Sequence, residues 1–354
     1  MSKWPLTPRI TAAIKRKLHG CISRNFATSL RRLEKNSEIV SRFISTYSTS
    51  LKLEIYDPRS KKISGHFFNS RDAFELQNVI LEPFQSSIYS QAGQLVKEST
   101  IWPAAHYFDS FPWTFKKARN FSRIENGIAI SSNSYYHWLI EDLPSSLFLS
   151  ELFPETPMLC YSDAPRYVED LLKTLPNPIL KSSGPMLVKK LKMVEKHEDY
   201  GWPSPADIEI LKGYGPINSR ISSYAETMVY ISRENARRSP SNEFQISQYF
   251  LSKGFTKVIL EKYPLLEQIE IISRAKVIAG IHGAGLTNLV WMNTGGVVID
   301  IANVSYWTEC YHRLAEICGQ SYIPFVYEGP ILGEVPLPSL DDLISTFDFG
   351  RKSK

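Results

Sequence analysis

The sequence predicts an α/β fold with a doubly wound parallel sheet in the C-terminal part of the chain. Over residues 225–301, apolar runs typical of buried parallel strands alternate with segments of helical spacing, in the order β-α-β-α-β-α-β. The last part, residues 275–301, contains a strand, a glycine turn, a short helix, a second turn and a strand. In such sheets ligands bind at the carboxyl ends of the strands, so the glycine turn is a candidate site.

The glycine turn His282-Gly283-Ala284-Gly285 follows directly after an apolar run. Two glycines let the backbone turn sharply and approach a ligand without an intervening Cβ. The segment 286–292 has helical spacing, and a helix start presents free N–H groups and a partial positive charge, which favour phosphate. The pattern is neither GxGxxG nor a P-loop, so an alternative is that the glycines serve the turn alone. His282 favours the phosphate site, because packing alone does not explain an exposed imidazole at the mouth.

Three polar residues follow predicted strands of this sheet, namely Arg233, Glu261 and His282. The carboxyl ends of parallel strands meet at one edge, so we expect these side chains to lie together. An arginine at this edge suits phosphate, because its planar fork matches phosphate oxygens. Arg237 and Arg238 continue the loop, and for Arg238 a solvated basic loop is the favoured interpretation.

Length and composition indicate a globular protein of two domains or one large one. The chain has 354 residues, of which 43% are hydrophobic and 22% charged, and no apolar run reaches membrane-spanning length. The net charge of +5 is concentrated in residues 1–33, which argues against a nucleic-acid partner for the rest of the chain. The four cysteines form no CxxC pair, so neither a metal site nor a disulfide framework is predicted, and a reducing compartment is expected.

A basic amphipathic segment precedes the predicted domains. Every fourth position over much of residues 9–33 is apolar with basic residues between, which predicts one apolar stripe on a cationic helix. The alternatives are a helix packed on the protein body, a peripheral anchor on an anionic membrane surface and a transit peptide. Gly20 weakens the helix prediction. Residues 37–50 are rich in Ser and Thr and are predicted to be a linker or an exposed segment.

The second informative segment is residues 133–152, which is predicted to be helical. His137 and Glu141 are four residues apart and share one face of an α-helix, and Asp142 lies about 100° further round. A histidine and a carboxylate on one face can act as a general base. The alternative is a surface ion pair beside a packed aromatic core. Pro144 is expected to end or kink the helix.

The remaining elements are short strands and helices. Strands are predicted at residues 51–56, 78–81, 127–131, 157–161, 187–194 and 322–326. Helices are predicted at residues 165–175, 206–211, 242–251, 265–274, 307–318 and 338–347. Caps are expected at Asn133 or Ser134, at Ser204 and at Ser339. The turn-rich residues 213–222 are predicted to contain the domain boundary.

Three blocks of the sequence resemble glycosyltransferase family 61, whose bacterial members are often described as capsular polysaccharide biosynthesis proteins. The blocks are YYHWLIEDLP at residues 135–144, YISRENARRSPSNE at 230–243, and a block at 261–292 that contains ISRAKVIAGIHGAGLTNLVWM. Their order and spacing match the layout of the family. The resemblance covers roughly residues 128–301 and is specific, because three separated blocks agree.

The resemblance implies a GT-B architecture, with two Rossmann-like domains facing across a cleft. It assigns residues 51–215 to an acceptor-side α/β domain and residues 216–354 to a nucleotide-sugar-binding domain, after an N-terminal segment and linker at 1–50. It also implies an inverting sugar transfer from a nucleotide donor without a bound metal or other cofactor. The chain contains no Asp-x-Asp motif, in agreement with that. We expect a UDP-linked donor.

The resemblance places the donor nucleotide in the C-terminal domain. The glycine turn would surround the diphosphate with Arg233 paired to it, because a metal-free enzyme needs positive groups to stabilise the leaving diphosphate. Glu261 and Asp300 are assigned to ribose or structural roles, although a glutamate is commoner in the family at the position of Asp300. The predicted donor-binding residues are Arg233, Arg237, Glu261, His282, Gly283, Ala284, Gly285, Leu286, Thr287, Asn288 and Asp300.

Inversion requires one base that takes a proton from the acceptor hydroxyl. In the family the acid four residues after the histidine recurs as Asp or Glu. That residue is Glu141 here, so it is named as the base before Asp142, and the acidic doublet leaves the choice open. His137 would orient the base or contact the acceptor.

The sequence therefore predicts an inverting, metal-independent glycosyltransferase with a glycan or lipid-linked acceptor, acting in surface polysaccharide biosynthesis. A cytoplasmic location is expected, with residues 9–33 as a contact to the anionic inner face of the membrane. The alternative is a catalytically inactive nucleotide- or glycan-binding module of the same fold. A dinucleotide-type epimerase is disfavoured, because no GxGxxG turn is present.

Overall fold

A computed structural model describes most of the chain between residues 72 and 347. The described residues are 72–96 except 85 and 92, residue 99, 121–196 except 132 and 133, and 203–347. Four strands before residue 72 are described by their backbone. The chain divides into two compact units, the first made of residues 1–47, 69–133 and 141–201 and the second of residues 48–68, 134–140 and 202–354.

Strands and helices alternate through most of the described chain. The strands are β1 (Ala27–Thr28), β2 (Ile39–Ile44), β3 (Lys52–Asp57), β4 (Lys62–Phe67), β5 (Asp72–Glu82), β6 (Ser87–Tyr89), β7 (Leu95–Val96), β8 (Ser122–Ala129), β9 (Met158–Tyr161), β10 (Ile179–Ser182), β11 (Met186–Val194), β12 (Thr227–Ile231), β13 (Thr256–Val258), β14 (Ala275–Ile281), β15 (Val297–Asn303) and β16 (Ser321–Tyr327). The α-helices are α1 (Tyr135–His137), α2 (Leu143–Leu152), α3 (Arg166–Leu172), α4 (Pro205–Gly213), α5 (Gly215–Asn218), α6 (Glu243–Ser252), α7 (Leu265–Ser273), α8 (Cys310–Ile317) and α9 (Leu337–Ile344). A π-helical turn (Trp138–Asp142) and two 3₁₀ helices (Leu260–Lys262 and Ala284–Trp291) complete the set.

The second unit contains a five-stranded parallel sheet in the order β13-β12-β14-β15-β16. From β12 to β15 the chain alternates strands with α6, α7 and the 3₁₀ helix Ala284–Trp291. The predicted β-α-β-α-β-α-β order and the parallel sheet are therefore confirmed. The short helix after the glycine turn is a 3₁₀ helix, with the Leu286 amide donating to the Gly283 carbonyl at 2.9 Å.

The central strands of this sheet are buried on both faces, which explains their continuous apolar runs. Side chains of β12, β14, β15 and β16 share one core with α6 and α9. Within it Tyr230 stacks on Phe250 at 4.7 Å between ring centroids, and Phe250 meets Phe255 edge-on at 5.0 Å. This packing fixes the sheet and therefore the positions of its strand ends.

The first unit contains a mixed sheet. Its strand order is β1-β7-β6-β5-β11-β8-β9-β10, and β2 pairs with β5. β11 runs antiparallel to β5 but parallel to β8, and β8-β9 and β9-β10 are also parallel pairs. β11, β8, β9 and β10 therefore form one parallel block, apart from the parallel pair β1-β7 at the other end of the sheet, and β8 and β11 end side by side.

Two predictions for the N-terminal residues are wrong where the backbone is described. Residues 27 and 28 form β1, which pairs with β7, so the predicted amphipathic helix does not continue through them. Residues 39–44, which belong to the segment predicted to be a linker or exposed, form β2 along β5, so they are not a linker. In both cases pairing with a distant strand outweighs the local sequence pattern. The rest of residues 9–33 lies outside the described residues.

The predicted helix of residues 133–152 is present after Ser134 but is not α-helical throughout. Its middle, Trp138–Asp142, is a π-helical turn, in which hydrogen bonds run between residues five apart. Pro144 follows this turn and lies in the first turn of α2. A proline cannot donate to the carbonyl four residues earlier, so the wider turn in front of it has a physical cause.

The helix caps agree with the sequence at one position and differ at another. The Ser204 side chain accepts the Asp207 amide at the start of α4, as predicted. Ser339 was predicted as a cap but lies inside α9, which begins after Pro336 with Pro338 in its first turn, where a proline has no lost hydrogen bond. No helix in the described part of the chain is long and apolar enough to cross a membrane.

Candidate functional site

The strand order of the second unit reverses at β12 and β14. These strands are neighbours in the sheet, although β13 lies between them in the chain and pairs with the other edge of β12. In open α/β sheets, ligands bind outside the carboxyl ends of the strands at such a reversal. Arg233 follows β12 and His282 follows β14, so the structure brings two predicted donor-binding residues to this position.

The side chain of Arg233 lies directly against the glycine turn. Its Nη1 donates to the backbone carbonyl of His282 at 2.7 Å. A Cβ on Gly283 would lie 1.8 Å from Nη1, and Gly283 has a φ of +154°. The glycine is therefore required by the close approach of the guanidinium as well as by the backbone conformation. Burial lowers the pKa of Arg233 from its ordinary value, but a guanidinium stays charged at neutral pH.

His282 is held in one orientation by Asp300. Its Nδ1 lies 2.8 Å from Asp300 Oδ2, which also accepts the Tyr322 hydroxyl at 2.6 Å. Because a carboxylate oxygen accepts, Nδ1 carries the hydrogen and Nε2 faces Thr308, at 3.4 Å from its Oγ1. His282 is only 5% exposed. The prediction of an exposed imidazole is wrong, because the ring is packed and paired with a buried acid.

Aromatic rings enclose the imidazole of His282. Tyr311 meets it edge-on at 4.8 Å and Tyr306 at 5.5 Å, measured between ring centroids. Tyr136 from α1 packs edge-on against Tyr311 at 5.7 Å. Burial raises the pKa of Tyr311 well above its ordinary value, so its hydroxyl is neutral at physiological pH. The ring edges limit the access of water to the histidine and fix its plane.

The predicted donor-binding residues after the glycine turn are mostly buried. Leu286, Thr287 and Asn288 are almost completely shielded, whereas Ala284 and Gly285 are partly exposed. The Asn288 amide bonds to the protein on both sides, with its Oδ1 accepting the Tyr135 hydroxyl at 2.9 Å and its Nδ2 donating to the Gly285 carbonyl at 3.1 Å. The exposed surface of the turn therefore consists of its last two residues, Ala284 and Gly285, and Asn288 connects α1 to the turn.

Asp300 is fully buried at 0% exposure and hydrogen-bonds to His282 and Tyr322. Of the two roles expected for Asp300, ribose contact or structural partner, these contacts favour the structural one. Glu261 lies exposed in the 3₁₀ turn after β13, and its charge acts on Arg233. Arg237 is exposed in the loop after β12. Arg238 is exposed as well, and its guanidinium lies 4.3 Å above the ring of Tyr306.

The predicted base residues Glu141 and Asp142 belong to the first unit. Glu141 is 2% exposed and Asp142 7%, so the interpretation of a surface histidine-carboxylate pair is wrong. The α-helical geometry assumed for His137 and Glu141 is also wrong, because the π-helical turn lies between them. Lys196 Nζ lies 2.5 Å from Asp142 Oδ1. His137, partly exposed in α1, belongs to the second unit.

Glu243, which the sequence did not single out, fixes the end of β12. Its carboxylate accepts the hydroxyls of Tyr230 and Ser232, at 2.8 and 2.7 Å, and the backbone amide of Arg233 at 2.9 Å. The sequence contained an indication of this role, because Glu243 lies in the first turn of a predicted helix directly after the basic loop. Tyr311 was missed as well, and nothing in its local sequence distinguishes it from a core tyrosine.

The described residues contain no group of three or more His, Cys, Asp or Glu side chains that could hold a metal ion. The positive groups that line the strand ends are instead Arg233, which is partly buried, and the exposed Arg237 and Arg238. An arginine fork and backbone N–H groups of the glycine turn are chemically suited to phosphate oxygens.

Comparison with known proteins identifies the family. Residues 135–299 match the sequence model of the family described as Glycosyltransferase 61. No curated protein matches the chain. The matched segment includes α1, β12, Arg233 and the glycine turn, which are the elements that form the strand-end site. This match confirms the resemblance to glycosyltransferase family 61 over residues 135–299.

Proposed function

We propose that this protein is an inverting glycosyltransferase that binds a nucleotide sugar at the carboxyl ends of β12 and β14. The observation that carries the proposal is the junction of Arg233 with the glycine turn, at the reversal of strand order in a parallel sheet. Family membership supports glycosyl transfer as the reaction class. The leaving group is then a nucleoside diphosphate, whose negative charge needs stabilisation when the sugar departs.

In this proposal Arg233 contacts the diphosphate, and His282 contributes its Nε2 on the same side. Arg233 donates to the His282 carbonyl, so its guanidinium is already positioned at the glycine turn before the donor binds. The Asp300 carboxylate keeps the Nδ1 hydrogen in place, which leaves the Nε2 lone pair to accept from a hydroxyl of the donor or from a water. A guanidinium that is positioned before binding needs little reorganisation when charge develops on the leaving group.

The finer assignments are part of the same proposal. The donor is UDP-linked, transfer requires no metal, and the acceptor is a glycan or lipid-linked hydroxyl in surface polysaccharide biosynthesis, in a capsule or a related polymer. Glu141 or Asp142 takes the acceptor proton, with His137 as its partner. The architecture is GT-B, with residues 51–215 on the acceptor side and residues 216–354 on the donor side. The protein works in the cytoplasm.

Calorimetric titration with UDP, GDP, CMP and dTDP in the presence of EDTA tests the donor site. We expect one nucleotide, UDP, to bind with a micromolar dissociation constant. Arg233→Ala should raise that constant about 10-fold to 100-fold, because charge-assisted hydrogen bonds to the phosphates are lost, and His282→Ala should raise it several-fold, because the hydrogen bond accepted by Nε2 is lost. Arg220→Ala is the matched control, since Arg220 is an exposed arginine paired with Glu270 on the same unit.

Equal loss of affinity in Arg220→Ala would show a general charge effect and contradict the site. If no nucleotide binds, the donor-site proposal is wrong. Binding of UDP without transfer to any acceptor, including slow transfer to water, would instead favour the inactive binding module.

Binding to an anionic membrane surface through residues 9–33 is a separate proposal, supported by the charge pattern of that segment. Removal of residues 1–33 should reduce sedimentation with anionic vesicles while UDP binding is kept. Unchanged sedimentation would contradict it.

A further inference from the structure

A small cavity lies in the first unit, at the carboxyl ends of the parallel strands β8 and β11. Its lining includes Ala129 and Val194, the last residues of these strands, and Lys196 just beyond β11. Its volume is about 40 Å³, which corresponds to room for roughly three water molecules. The carboxyl ends of parallel strands are the usual position of ligands in α/β sheets, and this cavity has that position in its own sheet.

The cavity contains an ion pair that is largely shielded from solvent. The Lys196 ammonium lies 2.5 Å from Asp142 Oδ1, and the two side chains are 15% and 7% exposed. Asp142 lines the cavity, whereas Glu141, although equally buried, is not among its lining residues. The two charges cancel, so the cavity offers one strong hydrogen-bond acceptor and one strong donor without a net charge. Such a pair suits a neutral hydroxyl group better than a phosphate.

A serine hydroxyl in the same cavity has its hydrogen-bonding capacity unused. Among the described residues, the Ser86 Oγ has no hydrogen-bond partner, although Ser86 is only 8% exposed. Ser86 also has a φ of +55°, an uncommon backbone conformation for a residue other than glycine. By contrast, Ser99 and Ser146, which also line the cavity, donate to the carbonyls of Val96 and Asp142. A buried, unpaired hydroxyl in a polar cavity indicates a partner that the described residues do not supply.

We propose that this cavity binds a hydroxyl group of the sugar acceptor, and that Asp142, and not Glu141, is the carboxylate that accepts its hydrogen bond. The proposal rests on the glycosyltransferase function proposed above and names the acceptor subsite within it. A hydroxyl group donates and accepts at once, so it can donate to Asp142 while it accepts from Lys196 or Ser86. The cavity admits one hydroxyl or hydroxymethyl group of a sugar rather than a whole ring.

Saturation-transfer NMR of the full chain with methyl glycosides at millimolar concentrations tests the subsite. The probes are the methyl α- and β-glycosides of glucose, galactose and mannose. We expect at least one to bind, and its dissociation constant to rise about 10-fold or more in Asp142→Asn, where a charged acceptor is lost. Glu141→Gln should leave glycoside binding unchanged. UDP affinity is measured in parallel in each variant and should stay at the wild-type value.

Two further variants separate ligand contact from folding. Ser86→Ala removes a hydroxyl that has no partner in the part of the chain that the structure describes, so the thermal midpoint should be kept while glycoside affinity falls several-fold. Ser150→Ala is its matched control, because Ser150 is a buried serine that bonds to Asn177 outside the cavity and should affect stability but not glycoside binding. If Asp142→Asn unfolds because Lys196 is left unpaired, the double variant Asp142→Asn/Lys196→Met removes both charges and should fold without binding glycoside.

Three results would overturn the subsite. They are no binding of any glycoside, unchanged binding in both Asp142→Asn and Ser86→Ala, and loss of binding in Glu141→Gln alone. Retained UDP binding in these cases would leave the donor site standing, whereas failure of UDP to bind the wild type would refute the proposed function itself.

Discussion

At the scale of single residues, Gly283 is constrained by a side chain 50 positions away in the sequence. The guanidinium of Arg233 occupies the space that a Cβ on Gly283 would need, and the backbone there has a positive φ. The same arginine is bonded to the carbonyl just before this glycine. One missing methyl group thus decides whether the arginine can reach the carboxyl end of β14.

Gly283→Ala should displace Arg233 and weaken UDP binding about 10-fold to 100-fold, because the guanidinium loses its fixed position. We also expect a loss of stability of about 1–3 kcal/mol from backbone strain. Calorimetric titration with UDP and urea unfolding measure the two effects. Gly295→Ala is the control, because Gly295 has a φ of +83° but open space where its Cβ would lie. It should lose stability and keep UDP affinity. Equal UDP affinity in both variants would contradict the role of Arg233.

The contacts of this site could be predicted only in part from the sequence. The sequence predicts that Arg233 and His282 lie at one edge of the sheet, because both follow buried strands and the carboxyl ends of parallel strands share an edge. The pairing of His282 with Asp300 was not, although an acid inside the apolar run of β15 requires a buried partner. Which partner it has depends on the register of β14 against β15, and that register is set by packing rather than by local sequence.

At the scale of elements, α6 fixes the end of β12 and thereby the start of the basic loop. Glu243 in the first turn of α6 accepts hydrogen bonds from Tyr230, Ser232 and the Arg233 amide. Its carboxylate also lies where the partial positive charge of a helix N-terminus favours it. The helix therefore positions Arg233 through the end of β12.

Glu243→Ala should lower the free energy of unfolding by about 2–4 kcal/mol, because three buried donors lose a charged acceptor. It should also weaken UDP binding several-fold through the freed Arg233 backbone. Urea unfolding and calorimetric titration with UDP measure both. Glu267→Ala is the matched control, since Glu267 is an exposed acid in the first turn of α7 and should cost less than about 1 kcal/mol. A normal UDP affinity in Glu243→Ala would show that the loop is fixed by other contacts.

Elements that depend on local sequence patterns were predicted better than elements that depend on contacts between distant residues. The alternation from β12 to β15 was predicted, because fully buried strands and helices with one apolar face leave distinct patterns. The π-helical turn before Pro144 was not, since the proline indicates a break and not the form it takes. β1 and β2 were missed because their pairing with β7 and β5 is not encoded by local periodicity.

At the scale of the whole molecule, buried acidic hydroxyls and thiols link stability to alkaline pH. Burial raises the pKa of Tyr230, Tyr311 and Tyr322 well above the ordinary value of a tyrosine. It also raises the pKa of Cys310 to about 12 and that of Cys318 to about 11. In the unfolded chain these groups lose their protons at lower pH than in the folded protein. The unfolded state therefore binds fewer protons, and stability falls as the pH rises.

The loss should begin near pH 9 with the thiols and steepen above pH 10, where the tyrosines of the unfolded chain ionise. Each such group contributes a slope of about 1.4 kcal/mol per pH unit. The combined slope of several such groups would reduce a typical free energy of unfolding of about 5–15 kcal/mol to zero within one to two pH units. We therefore expect unfolding between about pH 10 and pH 12. Circular dichroism together with tyrosinate absorbance measures this transition.

Cys318→Ala isolates one contribution to this pH dependence. The thiol is buried and its pKa is raised from 9.0 to about 11, so it destabilises the folded state increasingly between these two pH values. Urea unfolding at about pH 8, 9, 9.5 and 10, below the alkaline transition, should give toward pH 10 a slope about 1.4 kcal/mol per pH unit shallower in the variant than in the wild type. At pH 8 the Cys318 thiol is protonated in the folded protein and largely in the unfolded chain. The difference in unfolding free energy between wild type and variant at that pH therefore reports mainly the loss of packing. Parallel slopes in the two proteins would show that the Cys318 thiol ionises as readily in the folded state as in the unfolded chain.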